Sequence, residues 1–198
     1  MKNVIKGKGM WTKVHDPDTK FDANGIYSVS VLVLQEEAQE MCEHLDGLAK
    51  KKLAEEIKNN PKRKDLTLKK PYAPAIDKDG NETGEIEFKF KLKAKFQSRD
   101  GKWFTQRPIV VDSKRTPINR DTLIGNGSTI KVAFETIPYV MMSTKTCSVS
   151  LRLKGVQVLN LVEFQGNLFE DEDGFIAKAE NDTHGEVAVE ADFWTKGH

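Results

Sequence analysis

Residues 86–97 read IEFKFKLKAKFQ, in which an apolar residue alternates with a polar one at almost every position. Successive side chains of a β-strand point to opposite faces, so this period predicts one strand with a core face and a polar face. The predicted core face holds Ile86, Phe88, Phe90, Leu92, Ala94 and Phe96. The polar face holds Glu87 and a stripe of four lysines, Lys89, Lys91, Lys93 and Lys95.

Further strands are predicted on both sides of this segment. Residues 98–101 form a turn into a second strand over 103–111, which pairs with the first as a hairpin. Residues 26–34, 128–137 and 146–162 alternate in the same way. Their inward residues are Tyr27, Val29, Val31 and Val33, then Ile130, Val132 and Phe134, then Cys147, Val149, Leu151 and Leu153. Gly155 shifts the phase to Val156 and Val158, which predicts a β-bulge.

The period changes to three and four residues over 36–59, which predicts one amphipathic helix ending before Pro61. Cys42 lies on its apolar face, where a buried, unreactive thiol is expected. Residues 61–85 are interpreted as a polar connection. Five or six strands with one inserted helix predict a mainly β protein, a small barrel or sandwich. Among these, the OB-fold barrel is favoured because it binds oligonucleotides on an open face.

The composition excludes several classes of protein. None of the apolar runs approaches the roughly 18–20 residues that a membrane span needs, and residues 1–20 lack the apolar core of a secretory signal. The two cysteines, Cys42 and Cys147, are too few and too far apart for a disulfide framework or a zinc site. We therefore expect an intracellular protein with no membrane contact, no metal and no cofactor.

The net charge of +1 conceals a strong asymmetry along the 198 residues. Residues 163–193 contain ten acidic residues and one basic residue, so this stretch carries −9, and residues 1–162 carry +9. A basic body joined to an acidic end points to nucleic acid, because the body attracts phosphates and the acidic end can compete for the same surface. We predict a binding domain over 1–164 and a flexible acidic tail over 165–198.

The basic charge is concentrated around the lysine stripe. Nine bases and three acids lie between Ile86 and Arg115. Lysines two apart on a strand are about 6.6–6.8 Å apart, close to the phosphate spacing of an extended single strand. An ordinary solvated face, or lysine protection of an edge strand, would give the same pattern.

Aromatic residues near these bases could stack on nucleobases. Trp103 lies in the basic hairpin, where a core position is an equal alternative. Tyr139 follows Pro138 at a predicted strand end, in a turn-like position that would hold its ring outward. Phe88, Phe90, Phe96 and Phe134 are expected in the core. The candidate binding residues are Lys89, Lys91, Lys93, Lys95, Arg99, Trp103, Arg107, Lys114, Arg115, Lys131, Tyr139 and Arg152.

No common catalytic motif is present, including the phosphate-binding GxxxxGK[ST] loop, HExxH, CxxC and GxSxG. A metal-dependent nuclease would need clustered carboxylates in the basic region, where Asp100 and Asp112 are the candidates, and Asp112 is better interpreted as a turn residue. We therefore expect no catalytic residues. An RNA-binding OB module, a nucleic-acid enzyme and a structural β protein of a virion remain open as alternatives.

Several segments resemble the single-stranded DNA-binding protein of podovirus-type tailed phages. They are FKFKLKAKFQ (88–97), VVDSK (110–114), IGNGSTIKVAFETIPY (124–139) and SVSLRLKGVQVLNLVEF (148–164), with GIYSV (25–29) and KKPY (69–72) in the same order. The resemblance covers about residues 3–164. It implies an OB-fold with one packed helix that coats single-stranded DNA in replication and recombination, in the cytoplasm of the infected bacterial host.

The resemblance also implies partners and roles for particular residues. Tyr139 matches a position that stacks on DNA, while the second aromatic expected two residues later is replaced by Met141. The acidic tail would contact the phage DNA polymerase and helicase–primase, and the protein would form a homodimer. The tail residues implied are Asp171, Glu172, Asp173, Asp192, Phe193 and Trp194. Residues 195–198 extend past the ending typical of the family, as a remnant of an expression tag would.

Overall fold

A computed structural model describes residues 3–63 and 65–163 of the chain. Within these residues it contains ten strands and one helix. They are β1 (Val4–Asp18), β2 (Ile26–Leu34), α1 (Gln35–Asn59), β3 (Thr67–Leu68), β4 (Tyr72–Ile76), β5 (Glu82–Lys93), β6 (Lys95–Gln97), β7 (Trp103–Thr105), β8 (Ile109–Val111), β9 (Thr129–Met141) and β10 (Thr146–Asn160). The predicted tail, 165–198, lies outside the described residues, so the domain boundary at 164 stays a prediction.

Five strands close into a barrel in the order β1-β2-β5-β10-β9, with β9 returning to β1. All the neighbouring pairs are antiparallel except β5 and β10, which pair in parallel where Lys91 lies opposite Arg152. A five-stranded barrel with Greek-key connections is the OB architecture. The predicted fold class, mainly β with one inserted helix, is confirmed.

Alternating apolar residues build the barrel interior. Phe88 and Phe90 of β5, Ile130 of β9 and Leu153 of β10 are fully buried, as their positions in the alternation predict. The predicted bulge is also present, since the register of β10 against β9 shifts between Leu153 and Gly155. A Cβ on Gly155 would lie 2.9 Å from the carbonyl oxygen of Ile109, because β8 runs alongside β10 there.

The predicted helix is confirmed as α1, which follows β2 directly and buries Ala38, Leu45 and Ala49. Cys42 is half-buried on the helix, and Cys147 of β10 is buried with its thiol donating to the Ala49 carbonyl at 3.4 Å. Burial raises the pKa of both thiols. They stay protonated at neutral pH, in agreement with an unreactive thiol at Cys42.

The prediction of a single strand over 86–97 was wrong. β5 begins at Glu82 and ends at Lys93, and β6 pairs with β7 in a separate two-stranded sheet. The break occurs at Ala94. Its N–H still donates to the Gly25 carbonyl at 2.8 Å, in register with β2, but the Gly25 N–H donates to Asp22, and the Ala94 carbonyl accepts from Gln106 instead. As a result Lys95 leaves the stripe, and Phe96, predicted in the core, is 37% exposed.

The chain around this hairpin also differs from the prediction. Of the predicted strand 103–111, the first part is β7 in the hairpin, and β8 crosses to pair in parallel with β10. The polar connection 61–85 contains β3, β4 and the beginning of β5. β1 was not predicted because glycines and a bulge between Met10 and Lys13 disrupt its alternation. Gly7 is needed there, since a Cβ would lie 2.3 Å from the Leu32 carbonyl oxygen.

Candidate nucleic-acid interface

A groove crosses the barrel where β5 meets β10. It consists of two adjoining recesses of about 510 and about 480 Å³, which share Lys91, Tyr139 and Ser150. These residues come from β5, β9 and β10, so the groove exists only once the barrel has closed. We refer to this combined surface as the β5–β10 groove.

Basic side chains dominate the walls of the β5–β10 groove. Six of the lining residues are cationic and one is acidic, Glu87. The cations are Lys69, Lys70, Lys89, Lys91, Lys93 and Arg152. A groove of one charge sign attracts a polyanion and follows its backbone.

The lysine stripe is not a device for protecting a sheet edge. β5 pairs with β2 from Glu85 to Lys93, and on its other side with β4 from Glu82 to Phe88 and with β10 at Lys91, so it is an interior strand. Lys89 pairs with Glu87 at 3.6 Å and Lys93 with Asp22 at 3.9 Å. Among residues 3–63 and 65–163, no carboxylate oxygen lies within 4.0 Å of the Lys91 ammonium group. Lys91 is therefore free to meet an anionic ligand.

Tyr139 is the aromatic residue common to both recesses. The prediction of a turn-like position was wrong, because β9 continues to Met141 and Tyr139 pairs with Ser148 of β10. The ring is half-buried within the groove instead of projecting from a turn. Met141, two residues later, is exposed on the same side of β9.

Apolar side chains form the floor of the larger recess. Ile26, Leu92 and Ile137 line it together with Tyr139, and Phe96 of β6 lines it as well. Phe96 is thus a groove residue that the sequence pattern assigned to the core. Its position just before the turn at 98–101 was the signal that it belongs to the hairpin and not to the barrel strand.

Lys69 and Lys70 were also missed as candidate residues. Their segment is held against β10, where the Lys69 N–H donates to the Cys147 carbonyl and the Ser148 hydroxyl donates to the Lys69 carbonyl. Tyr72 follows, and its hydroxyl donates to Asp46 of α1 at 3.0 Å. Burial raises the pKa of Tyr72. The adjacent lysines before Pro71 are the sequence signal for this end of the groove.

The remaining candidate residues do not line the β5–β10 groove. Lys95, Arg99 and Trp103 belong to the β6–β7 hairpin, and Arg107, Lys114 and Arg115 are exposed beyond it. Lys131 is eight residues before Tyr139 on β9, about 26 Å away at roughly 3.3 Å per residue. Asp171, Glu172, Asp173, Asp192, Phe193 and Trp194 lie outside the described residues.

One of the two candidate carboxylates, Asp112, accepts hydrogen bonds within a turn. Asp112 accepts the N–H groups of Lys114 and Thr116, each at 2.8 Å. These hydrogen bonds, the one from Thr116 above all, lower the pKa of Asp112 and make it the turn residue that was expected. Within the described ranges, no three His, Cys, Asp or Glu side chains are grouped closely enough to hold a metal ion.

A recess of about 570 Å³ lies apart from the groove, around Trp11 and Leu123. It contains Lys13, but Asp16 and Asp18 line it as well, so its charge suits a polyanion less than the β5–β10 groove does.

Within the described part of the chain, no helix has both the length and the apolar character that crossing a membrane requires.

Comparison with known protein families gives a match over most of the chain. The family model described as "Single-stranded DNA-binding protein, Bacteriophage T7" matches residues 9–161. The single-stranded DNA-binding protein of Enterobacteria phage T3 is 35% identical over 118 residues, which is 57% of this chain and 50% of the relative. That of Escherichia phage T7 is 32% identical over 114 residues, 54% of this chain and 49% of the relative. The matched segment spans about half the length of these relatives. Both are named as binding proteins, not as enzymes.

Solved structures share the fold. The crystal structure of gp2.5, a single-stranded DNA-binding protein encoded by bacteriophage T7, superposes with a TM-score of 0.65 at 24% identity and covers 90% of this chain and 100% of that one. The single-stranded DNA-binding protein from bacteriophage Enc34 in complex with single-stranded DNA gives 0.51 at 15% identity, over 84% and 95% of the two chains. These likenesses agree with the barrel described above.

Proposed function

The chain belongs to the single-stranded DNA-binding protein family of bacteriophage T7, and we propose that it binds single-stranded DNA along the β5–β10 groove without regard to sequence. The observation that carries this proposal is the meeting of Lys91, Arg152 and Tyr139 in one groove from three different strands. A polyanion with exposed aromatic bases is the ligand that fits such a lining.

Binding would combine charge neutralisation with stacking. Lys89, Lys91 and Lys93 lie at intervals of about 6.6 Å along β5, which suits successive phosphates of an extended strand. A base turned inward from the phosphates would stack on Tyr139 above the apolar floor. Contacts to phosphates and base faces carry little sequence information, because sequence is read mainly at the base edges.

The negative charge of residues 165–198, the acidic segment, indicates a regulatory role for this part of the chain. Residues 165–198 contain nine acids and two bases, so they carry −7 while the described part of the chain is basic. We propose that this segment competes with DNA for the basic groove and becomes available to the phage DNA polymerase and helicase–primase when DNA is bound. A homodimer, a role in replication and recombination, and location in the host cytoplasm complete the proposal.

The test is a binding titration of the full chain with fluorescently labelled oligo-dT at two salt concentrations. We expect tight binding at 50 mM salt and a marked loss at 200 mM, since phosphate neutralisation releases counterions. Binding that is absent, or that does not change with salt, would overturn the proposal. A matched oligo-U titration tests the RNA-binding alternative, which would be supported by tighter binding to the RNA.

The role of the acidic segment is tested by removing residues 165–198, which changes the net charge from +1 to +8. We expect tighter binding at low salt and a smaller difference at high salt, where charge competition is screened. A matched full-length variant with Glu170, Asp171, Glu172 and Asp173 changed to Gln or Asn should shift affinity in the same direction. Unchanged affinity in both proteins would exclude the competition.

A further inference from the structure

The β6–β7 hairpin presents partly exposed aromatic rings to solvent. Trp103 is 61% exposed, Phe104 47% and Phe96 37%. Phe96 and Phe104 stack on each other with ring centroids 5.6 Å apart. Two strands of three residues are too short to be stable alone. Exposed aromatic rings on so small an element mark an interaction surface.

The hairpin is held at both of its ends. At its base, the Gln106 N–H donates to the Ala94 carbonyl, and the Gln106 side chain donates to the Lys93 carbonyl, both at 2.9 Å. At its tip, the Ser98 N–H donates to the Lys102 carbonyl and the Gln97 side chain to the Gly101 carbonyl, both at 2.8 Å. The rings are therefore placed before any ligand arrives, which lowers the entropy cost of binding.

The β1–β2 loop, residues 19–25, lies against this hairpin. It is fastened to the end of β5 by the Asp22–Lys93 ion pair and by the hydrogen bond from Ala94 to Gly25. Asn24 of the loop, with Lys95, Trp103, Phe104 and Thr105, lines a recess of about 390 Å³. We call it the hairpin recess.

The charge around the hairpin recess indicates which partner it suits. The hairpin carries three basic residues, Lys95, Arg99 and Lys102, and one acidic residue, Asp100. Cations beside exposed rings suit a single nucleic-acid strand better than an apolar protein surface. The hairpin also links the two surfaces, since Phe96 lines the β5–β10 groove and stacks on Phe104, which lines the hairpin recess.

We propose that the hairpin recess is a second subsite for single-stranded DNA, which receives bases of a strand leaving the β5–β10 groove at its Phe96 end. A base stacks on Trp103, and the backbone passes Lys95. This inference rests on the proposed function and adds to it that full affinity requires a minimum length of oligonucleotide. Short oligonucleotides that fill only the groove do not reach Trp103, whereas longer ones do.

The test is a series of oligo-dT lengths from about 4 to 16 nucleotides, the range of site sizes known for one OB-fold. The full chain is compared with Trp103→Ala, Trp103→Phe and Tyr139→Ala. We expect Trp103→Ala to leave the shortest oligonucleotides unaffected and to weaken the longer ones roughly 5- to 150-fold, the range for one stacked base. Trp103→Phe should retain most of the affinity, and Tyr139→Ala should weaken every length.

The outcomes separate the two proposals. An effect of Trp103→Ala that is equal at all lengths, or absent at all lengths, would overturn the second subsite while leaving groove binding intact. Failure of the unmodified chain to bind any oligonucleotide at low salt would overturn both. A change of oligomeric state in Trp103→Ala by size-exclusion chromatography, with DNA affinity unchanged, would identify the hairpin as a protein interface instead. Unaltered circular dichroism confirms that the variant is folded.

Discussion

Lys91 of β5 and Arg152 of β10 are partners in the parallel pairing that closes the barrel, so two cations stand side by side on the wall of the groove. The positive charge of Arg152 is partly neutralised by Glu135, whose carboxylate oxygen lies 3.5 Å from the guanidinium nitrogen. Lys91 has no such ion pair within the described residues. Adjacent strand backbones are about 4.8 Å apart, and like charges on directly opposite residues repel. A phosphate between them would relieve that repulsion.

This relationship predicts a change in the salt dependence of DNA binding. Replacing Lys91 with Gln should reduce the slope of log K against log salt by about 0.7, the value for one phosphate contact on a single strand. The measurement is a fluorescence-anisotropy titration at four or more salt concentrations. Lys78→Gln, at the turn between β4 and β5, removes the same charge at a distance from the groove and should leave the slope unchanged.

The same titration separates groove lysines from other exposed cations. Lys131, a candidate from the sequence, lies toward the other end of β9. We expect Lys131→Gln to behave like the Lys78 control. A slope reduced as much by Lys131→Gln as by Lys91→Gln would show that DNA follows another path across the barrel.

Tyr139→Ala should weaken single-stranded DNA binding roughly 5- to 150-fold, because one stacked base contributes about 1–3 kcal/mol. The relative loss should persist at high salt, where the electrostatic share of binding is screened. Tyr139→Phe keeps the ring and should bind nearly as well as the unmodified chain. Equal losses in the two variants would mean that the hydroxyl, and not the ring, makes the contact.

Two glycines should respond to alanine in opposite directions. Gly7→Ala places a Cβ 2.3 Å from the Leu32 carbonyl, so β1 or β2 must move, at a cost of about 1–3 kcal/mol or more. Gly47 lies in α1 with no atom within 4 Å of the added Cβ, so Gly47→Ala should stabilise by about 0.5–1 kcal/mol. Urea unfolding of both variants measures the difference. A stable Gly7→Ala protein would contradict the close approach of β1 and β2.

Stability should fall as the pH decreases from about 7 to 5. Burial lowers the pKa of His15, Arg120 adds to the effect, and Asp16 opposes it. The unfolded chain therefore takes up a proton near pH 6.5 before the folded protein does, and unfolding becomes more favourable as pH falls through this window. Urea unfolding of His15→Gln should depend less on pH over this range.

Local patterns in the sequence were enough to predict most of the barrel. The alternation in β2, β5, β9 and β10 and the longer period of α1 depend on neighbours within a few residues, so they can be recognised without knowledge of the fold. Gly155 likewise marked its bulge through the change of phase that follows it. The separation of basic body from acidic end is a property of composition and required no structure.

Long-range pairing decided the rest. β5 stops before Ala94, whose carbonyl accepts from the Gln106 N–H and not from β2, and nothing in the alternating pattern reveals that partner. The same break removed Lys95 from the stripe and brought Phe96 to the groove. Lys91, Tyr139 and Arg152 meet because β5, β9 and β10 close the barrel. Within β2, β5, β9 and β10, sequence alone thus determined which residues face outward. The closed barrel determined which outward residues share one binding surface, since hydrogen bonding between distant strands sets their proximity.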